Sequence, residues 1–314
     1  MLESRDSTEI VPTPAGVSTV TAAPGADEAA HRRRMPIGAW LAIAWLVFVG
    51  GAALLAPVLP IDDWKFGTFR DARDGWFTNG HWFGADESGR DVFSRVVWGG
   101  RSSLLIAVGS IAIGVLVGGF LGLCAGYFGR RTDSVLSASF NIMLAFPQLV
   151  LALTLVAVLS PFQEEDPPTR WERVRVMILA IGIVSIPILA RITRANALAW
   201  SQREFVMAAK AQGARSMRVM FREVLPNVIP AILSIALLGI GVVIVIEGGL
   251  ALFGVSVSRP DPTWGNMIAG EISDVQKQPH VWQAPALFIF VTVLALNYLG
   301  DFVRSRFDVR ESAI

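Results

Sequence analysis

Residues 201–227 read SQREFVMAAKAQGARSMRVMFREVLPN, a segment of strong helix formers interrupted by a single glycine. Ser201 and Glu204 have the S-x-x-E spacing of a capping box, in which two side chains bond the backbone amides at a helix start. Residues 207–212 favour the helix, and Gly213 supplies the left-handed backbone that often ends one. We therefore predict a helix of about three turns. Its alanine-rich middle leaves a bare backbone ridge that another protein can approach closely.

A second amphipathic stretch follows this predicted helix and leads to Pro226. Apolar residues such as Met217 and Phe221 alternate there with Arg218 and Arg222. Such a segment can lie at a membrane surface with its arginines on lipid headgroups, or it can dock against another protein. The residues of the segment alone leave both interpretations open.

Long uncharged stretches lie on both sides of this segment. Of the 314 residues, 53% are apolar and 17% are charged, and the mean hydropathy is +0.52, whereas about a quarter of the residues in soluble domains are charged. A helix needs about 20 apolar residues to cross a bilayer. Six stretches of that order occur, at 37–59, 104–127, 136–159, 176–192, 229–250 and 284–302. The sequence therefore predicts an all-α integral membrane protein with six transmembrane helices in one domain, residues 36–312. Residues 1–35, which are rich in Ala, Thr, Pro and Gly, are predicted to form a disordered tail.

The distribution of basic residues predicts how the spans are oriented. With six spans both termini lie on one side, and the segments on that side contain 16 basic and 11 acidic residues, against 11 and 15 on the other. Lys and Arg accumulate in cytoplasmic loops. We therefore predict a multi-pass protein of the inner cell membrane with both termini and residues 201–227 in the cytoplasm.

Glycines in the second predicted span suggest a close helix contact. They recur at every fourth position, at Gly114, Gly118, Gly122 and Gly126, a spacing that lets two helix backbones approach. The contact is either static packing within the subunit, which we favour, or one that slides as the protein works.

Polar residues and prolines within the spans are further candidates for function. Pro147 and Pro187 are expected to kink the third and fourth spans. Asn141, Gln148 and Glu247 are the candidates to line an aqueous path, although single amides in bundles more often bond a neighbouring helix. Glu247 is the strongest of the three, because an acid near the end of a span is costly unless it faces water, a partner or a pocket.

The sequence contains few of the residues that catalysis or cofactor binding needs. Its net charge of +1 does not indicate nucleic acid as a partner. None of the three lysines, Lys65, Lys210 and Lys277, follows a glycine as the phosphate-binding P-loop requires. The single Cys124 and three separated histidines lack metal-ligand spacing. We therefore expect no catalytic residue, no metal and no cofactor in this chain.

The segment EFVMAAKAQGARSMRVMFREVLPN resembles the EAA loop in the permease subunits of binding-protein-dependent ABC importers. The matching positions are Glu204, Ala208, Ala209, Gly213, Leu225 and Pro226. HWFGADESGRDVFSRVVWGGRSSL, residues 81–104, is similar to a stretch in the peptide and nickel branch of that family, specifically in its second permease, the C subunit of dipeptide permeases. Ala85 departs from the threonine that is common there. Residues 246–268 and 282–310 resemble the family's fifth and sixth spans with their connecting loop.

This resemblance implies the type I ABC importer permease fold, with residues 204–213 as a coupling helix in a groove of a cytoplasmic ATPase. The implied partners are a second permease in a heterodimer, two ABC ATPase domains that bind ATP and Mg, an extracytoplasmic substrate-binding protein, and membrane lipid. The implied function is import of di- or oligopeptides through a non-catalytic subunit, with a nickel-chelate permease as the alternative. A stand-alone secondary transporter would need ionisable residues in mid-span, which the predicted spans nearly lack. Neither that class nor a channel accounts for the alanine-rich helix.

Overall fold

The computed structural model describes residues 35–68, 70–160, 168–272 and 276–311, with side chains described to residue 306. Within these residues the chain forms nine helices and no β-strand. The helices are α1 Ile37–Leu55, α2 Val92–Phe128, α3 Arg130–Leu144, α4 Gln148–Leu159, α5 Arg170–Ser201, α6 Glu204–Ala211, α7 Ser216–Leu252, α8 Trp264–Gly270 and α9 Pro279–Glu311. Residues 1–34 of the predicted disordered tail lie outside the described part of the chain.

Five of these helices are long and apolar enough to cross a membrane, namely α1, α2, α5, α7 and α9. The helices α3 and α4 pass the same test together and meet at an angle of 90°. Counted as one span, this bent pair completes the six that the sequence predicts. Several helices are longer than the predicted apolar stretches, since α2 begins at Val92 rather than at 104 and α5 extends well beyond 176–192.

Side-chain caps explain why α2 and α5 begin before their apolar stretches. The carboxylate of Asp91 caps α2 by accepting a hydrogen bond from the Ser94 amide at 2.6 Å. A capping box of Thr169 and Glu172 starts α5, and the Thr169 amide donates to the Glu172 carboxylate at 2.7 Å. Such caps satisfy amides that lack an acceptor within the first turn. The polar caps, rather than the apolar residues, therefore set these helix starts.

The glycine stripe of α2 lies against α5. A methyl group on Gly118, Gly122 or Gly126 would run into the backbone of α5. The atoms that it would meet are the carbonyl oxygens of Ile186, Ala190 and Arg194. Because both sets recur at every fourth residue, the two helices approach backbone to backbone over several turns. The predicted close contact is confirmed, and it lies within this subunit.

The two prolines that were expected to kink their spans lie in different positions relative to the helices. Pro147 immediately precedes α4, and the 90° turn between α3 and α4 confirms the kink predicted there. Pro187 is buried inside α5, which continues from Arg170 to Ser201 without a break. Proline removes one amide donor from the backbone ladder, and at this position the helix continues despite that loss.

Two clusters of buried apolar side chains lie in the described part of the chain. The larger one joins α2, α5 and α7 through residues such as Ile106, Ile181 and Ile244. The smaller one, which we call the α6 cluster, packs α6 against the neighbouring ends of α2, α5 and α7. Its buried members are Leu123, Ala197, Val206, Val219, Met220, Val224, Val228 and Ile232.

Candidate functional site

Helix α6 lies within the segment from which the sequence predicts a docking helix. It covers eight residues, Glu204–Ala211, and is shorter than the predicted three turns. The predicted capping box is wrong, because Arg203 is the N-cap residue and its side chain makes no capping bond. Ser201 belongs to the last turn of α5, where its hydroxyl donates to the Leu198 carbonyl oxygen at 2.8 Å. An N-cap needs an extended backbone, so a serine that is still helical cannot provide one.

Gly213 follows the end of α6, as the sequence predicts. Its φ is +83°, a left-handed value that glycine adopts without steric cost. Its amide donates to the Lys210 carbonyl oxygen at 3.0 Å, and the Ala214 amide donates to that of Ala209 at 3.1 Å. No described atom lies within 4 Å of the place that a Cβ on Gly213 would take. The backbone conformation, and not a lack of space, therefore requires glycine here.

The α6 cluster holds α6 in place through Val206, whose side chain is fully buried. Val206 packs in this cluster with Leu123 of α2, Ala197 of α5 and Met220 of α7. Met220 begins a π-helical turn, Met220–Val224, in α7, and single π turns within α-helices often occur at functional sites. Three spans thus meet beneath one short helix.

Two cations lie over aromatic rings at the two ends of α6. The Arg203 guanidinium lies 5.2 Å from the centre of the Trp200 ring, and Lys210 Nζ lies 4.9 Å from that of Tyr127. Each contact is of the cation–π type. Together they connect α6 to the ends of α5 and α2.

The face of α6 that points away from the cluster is exposed and partly apolar. Four of the six predicted coupling residues, Glu204, Ala208, Gly213 and Pro226, are exposed, whereas Ala209 and Leu225 are half-buried. Large apolar side chains in and beside α6 are also exposed, among them Phe205, Met207, Met217 and Phe221. Exposed apolar side chains close together in the sequence are typical of a surface that contacts a partner or lipid.

The three predicted path residues lie in different environments. Asn141 on α3 is exposed, and its side-chain oxygen accepts a hydrogen bond from Arg191 Nη2 on α5 at 2.8 Å. Gln148 is exposed at the start of α4, next to the 90° turn. Glu247 on α7 is 1% exposed. In this structure its carboxylate therefore faces the interior of the chain and not an open path.

The buried Glu247 carboxylate accepts two hydrogen bonds through one oxygen. Its Oε1 accepts from Ser256 Oγ at 2.6 Å and from Thr263 Oγ1 at 2.8 Å. Both donors belong to residues 253–272, which follow α7 and which we call the α8 segment. Glu247 Oε2 is buried without a hydrogen-bond partner among the described residues and lies against Gly265.

The start of α8 is attached to α2. Thr263 and Asn266 form a capping box, and the Asn266 amide donates to Thr263 Oγ1 at 3.0 Å. The Trp264 indole is fully buried and donates from Nε1 to the Val96 carbonyl oxygen at 2.9 Å, and its backbone amide donates to Ser103 Oγ at 3.0 Å. This site was not predicted from the sequence, although threonine is a common N-cap residue.

A buried arginine makes a second connection between α2 and the α8 segment. Arg95 is 4% exposed, and its Nη1 donates to the carbonyl oxygens of Trp64 and Pro260, each at 3.2 Å. Next to Pro260, burial raises the pKa of the Asp261 carboxyl, and the nearby Arg170 opposes that rise. The α8 segment is thus connected both to α2 and to the loop that precedes α2.

Two groups of side chains in the loop before α2 have the donor types of a cation site. One ligand atom each from Asp62, His81 and Asp91 lies within 4.8 Å of the others, as do atoms of Asp71, Asp74 and His81. Asp91 already caps α2 through Oδ2, and its Oδ1 lies 3.1 Å from His81 Nδ1. Hydrogen bonding therefore accounts for this contact, and the absence of a metal site stays a prediction.

Comparison with known proteins identifies the family. Residues 104–312 match the model of the binding-protein-dependent transport system inner membrane component. The chain is 37% identical over 228 residues to the dipeptide transport system permease protein DppC of Alkalihalophilus pseudofirmus, covering 73% of this chain and 71% of that protein. It is 34% identical over 278 residues to the glutathione transport system permease protein GsiD of Escherichia coli O6:K15:H31, covering 88% and 87%. The chain belongs to this family of transport permeases, which confirms the prediction from residues 204–227.

Solved structures of ABC importers have the same fold. An inward-facing structure of the MetNI methionine ABC transporter aligns with a TM-score of 0.55 at 17% identity, covering 68% of this chain and 96% of that one. A crystal structure of an amino acid ABC transporter with histidines aligns with a TM-score of 0.51 at 19% identity, covering 68% and 94%. At such identities the likeness concerns the fold alone. It confirms the predicted importer permease fold.

Proposed function

We propose that this chain is a non-catalytic subunit that carries di- or oligopeptides inward across the cell membrane while separate subunits hydrolyse ATP. The observation that carries the proposal is the arrangement of α6. Ala208 on its outer side is exposed for docking, and Val206 on its other side is buried in the α6 cluster with residues of α2, α5 and α7. A displacement of α6 by an ATPase would therefore reach three spans at once, as rigid-body switching requires.

The relatives support short peptides as the cargo. Two of them are named for dipeptide and glutathione transport, and glutathione is itself a short peptide. Neither name points to nickel, the alternative within the family. Asn141 and Gln148, which are exposed on α3 and α4, are proposed to line the path, where amides suit the peptide groups of such a cargo.

The assembly that we propose contains a second permease, two cytoplasmic ABC ATPase domains that bind ATP and Mg, and an extracytoplasmic binding protein. Exposed apolar side chains on α3, α4 and α7, such as Ile142, Val150 and Val245, are suited to contact the second permease or membrane lipid. Both termini and α6 lie in the cytoplasm in this proposal, in agreement with the distribution of Lys and Arg.

Enlarging the ridge tests the coupling role of α6. Ala208 is exposed, so Ala208→Trp is expected to leave the α6 cluster and membrane insertion intact while it blocks docking. In proteoliposomes that contain the whole complex, we expect ATP-driven uptake of a labelled dipeptide to fall by at least about tenfold, the effect of losing a few well-placed contacts.

The matched control is Ala208→Ser, which changes the same position by one atom and is expected to transport like the parent chain. Amounts of each variant in the membrane are compared by immunoblot. If Ala208→Trp transports at the parent rate with all partners present, the ridge is not the coupling contact.

A further inference from the structure

We propose that Glu247 is a positioning residue for transport, which fixes the α8 segment to the end of α7 as a hydrogen-bond acceptor and not as a negative charge. The proposal rests on the proposed function, because transport is one of its readouts. It assigns to Glu247 a role different from that of a path-lining acid. The segment that it positions, the α8 segment, consists of residues 253–272.

Hydrogen bonds from neighbouring residues explain why a carboxylate can be buried at Glu247. A carboxylate buried within a span is costly unless its oxygens are satisfied. The hydroxyls of Ser256 and Thr263 donate to one of its oxygens, and the Gly265 amide and the Ser103 hydroxyl also lie close to the carboxylate. No ion pair with Glu247 is formed by a Lys or Arg in the described part of the chain. What the site uses is therefore an acceptor oxygen.

The two donors close the α8 segment onto α7. Ser256 lies just after the helix end and Thr263 caps α8, yet both bond the same oxygen, so the chain between them returns to α7. A Cβ on Gly265 would stand 2.7 Å from both Glu247 Oε2 and Gly248 Cα. The two backbones thus lie in direct contact at this point, and a shift of α8 would break the hydrogen bonds to Oε1.

The position of the α8 segment also determines the shape of a recess. A cavity of about 470 Å³ is lined by residues of the α7 end and of this segment, among them Ser256, Ser258, Arg259, Asn266 and Gly270. Trp264 ties the other side of α8 to α2 through Val96 and Ser103. Glu247 therefore links α7 to α2 by way of α8, and releasing it would change this recess.

Two substitutions of Glu247 distinguish a role as hydrogen-bond acceptor from a role as negative charge. In the complete reconstituted complex, Glu247→Gln keeps an acceptor oxygen and is expected to retain dipeptide uptake within about twofold of the parent, whereas Glu247→Leu leaves two buried hydroxyls without an acceptor and is expected to lose at least about tenfold. Uptake at the parent rate with Glu247→Leu would overturn the positioning role. A Glu247→Gln variant as impaired as Glu247→Leu would overturn the acceptor mechanism.

A second readout does not depend on which cargo is carried. Cys124 is the single cysteine of the chain, so Cys124→Ala provides a background in which Ser258→Cys, exposed on the α8 segment, reports the position of that segment. With a membrane-impermeant maleimide, Glu247→Leu is expected to change the labelling rate at least about fivefold and Glu247→Gln to leave it unchanged, because only the former releases the hydrogen bonds. Equal rates in both variants would refute the proposal even if the cargo is not a peptide.

The donor residues keep the test valid if Glu247→Leu fails to assemble. Ser256→Ala removes one bond and is expected to change labelling at Ser258→Cys in the same direction. Thr263→Ser keeps the hydroxyl and is expected to behave like the parent. Ser110→Ala is the matched control, since Ser110 is also a buried serine but its hydroxyl donates to the Ile178 carbonyl oxygen at 3.2 Å instead. If Ser110→Ala alters labelling as much as Ser256→Ala does, the effect is not specific to Glu247.

Discussion

Gly122 shows at the scale of a single residue how closely α2 and α5 are packed. A Cβ at this position would meet the backbone carbonyl group of Ala190, which cannot move aside as a flexible side chain could. We expect Gly122→Ala to destabilise the chain by about 1–3 kcal/mol, the usual range for overpacking. The measurement is the thermal unfolding midpoint in detergent, which should fall by several degrees.

The control for this prediction is Gly50→Ala on α1, because no described atom lies within 4 Å of the added methyl group. This variant is expected to unfold at or above the parent temperature, since alanine favours the helix. An unchanged midpoint for Gly122→Ala would mean that the α2–α5 contact can widen without cost.

Capping motifs show what a local pattern can and cannot predict. The S-x-x-E pattern at Ser201 does not cap a helix, whereas T-x-x-E at Thr169 does. The two patterns are equivalent in sequence, and the difference arises because α5 continues through Ser201 and leaves no extended residue there. Gly213 was predictable because its requirement is local, a left-handed φ, and does not depend on neighbouring helices.

At the scale of elements, the bent pair α3 and α4 is the most distinctive part of the bundle. Helices of 15 and 12 residues are about 22 and 18 Å long. With each inclined by about 45°, the pair covers roughly 29 Å, close to the thickness of the hydrocarbon core. The 90° turn is therefore compatible with a complete crossing of the membrane.

This crossing predicts that the two ends of the pair lie on opposite sides. In the Cys124→Ala background, Ser134→Cys is expected to react with a maleimide only from the cytoplasmic side and Ser160→Cys only from the outside. Labelling of whole cells and of inverted vesicles provides the measurement. Reaction of both cysteines from the same side would show that α3 and α4 form a re-entrant hairpin instead.

Hydropathy predicts the apolar middle of the long helices but not their polar ends or the short helices. Apolar stretches indicate which residues suit the membrane interior. The stretch 104–127 was therefore recognised, whereas the more polar first turns of α2, which begin at Val92, were not. Helix α8 has only seven residues, too few for a periodic pattern to show. Its place is determined by tertiary hydrogen bonds of Thr263 and Trp264, which no local pattern contains.

At the scale of the whole molecule, the family followed from one segment because α6 combines several ordered residues in a short space. The burial of Glu247 did not follow, since it depends on how residues 253–272 return to α7. A hydropathy plot places this acid near the end of a span, where a side chain can face either water or the protein interior. Only the three-dimensional fold shows that the Glu247 side chain faces the interior.

The cargo is also a property of the assembled molecule, and a deletion strain tests it. We expect loss of the gene to abolish entry of a labelled dipeptide, because the relatives named for transport carry peptides, and to leave nickel accumulation unchanged. A plasmid copy of the parent chain should restore uptake, whereas the Ala208→Trp variant should not. Normal peptide entry combined with lost nickel accumulation would favour the metal-chelate alternative.

Because α7 is long, a small tilt of its end next to α6 moves its other end by a larger distance. This helix has 37 residues and is roughly 56 Å long. Its N-terminal part packs in the α6 cluster, and Glu247 lies near its C-terminal end. From Ile232, the last α7 residue of the α6 cluster, to Leu252 the helix is roughly 30 Å long, so a tilt of about 10° there would move its C-terminal end by about 5 Å, which is more than the length of a hydrogen bond. In the proposed function, a small displacement of α6 at one face of the membrane would therefore reach the other face as a movement of several ångströms.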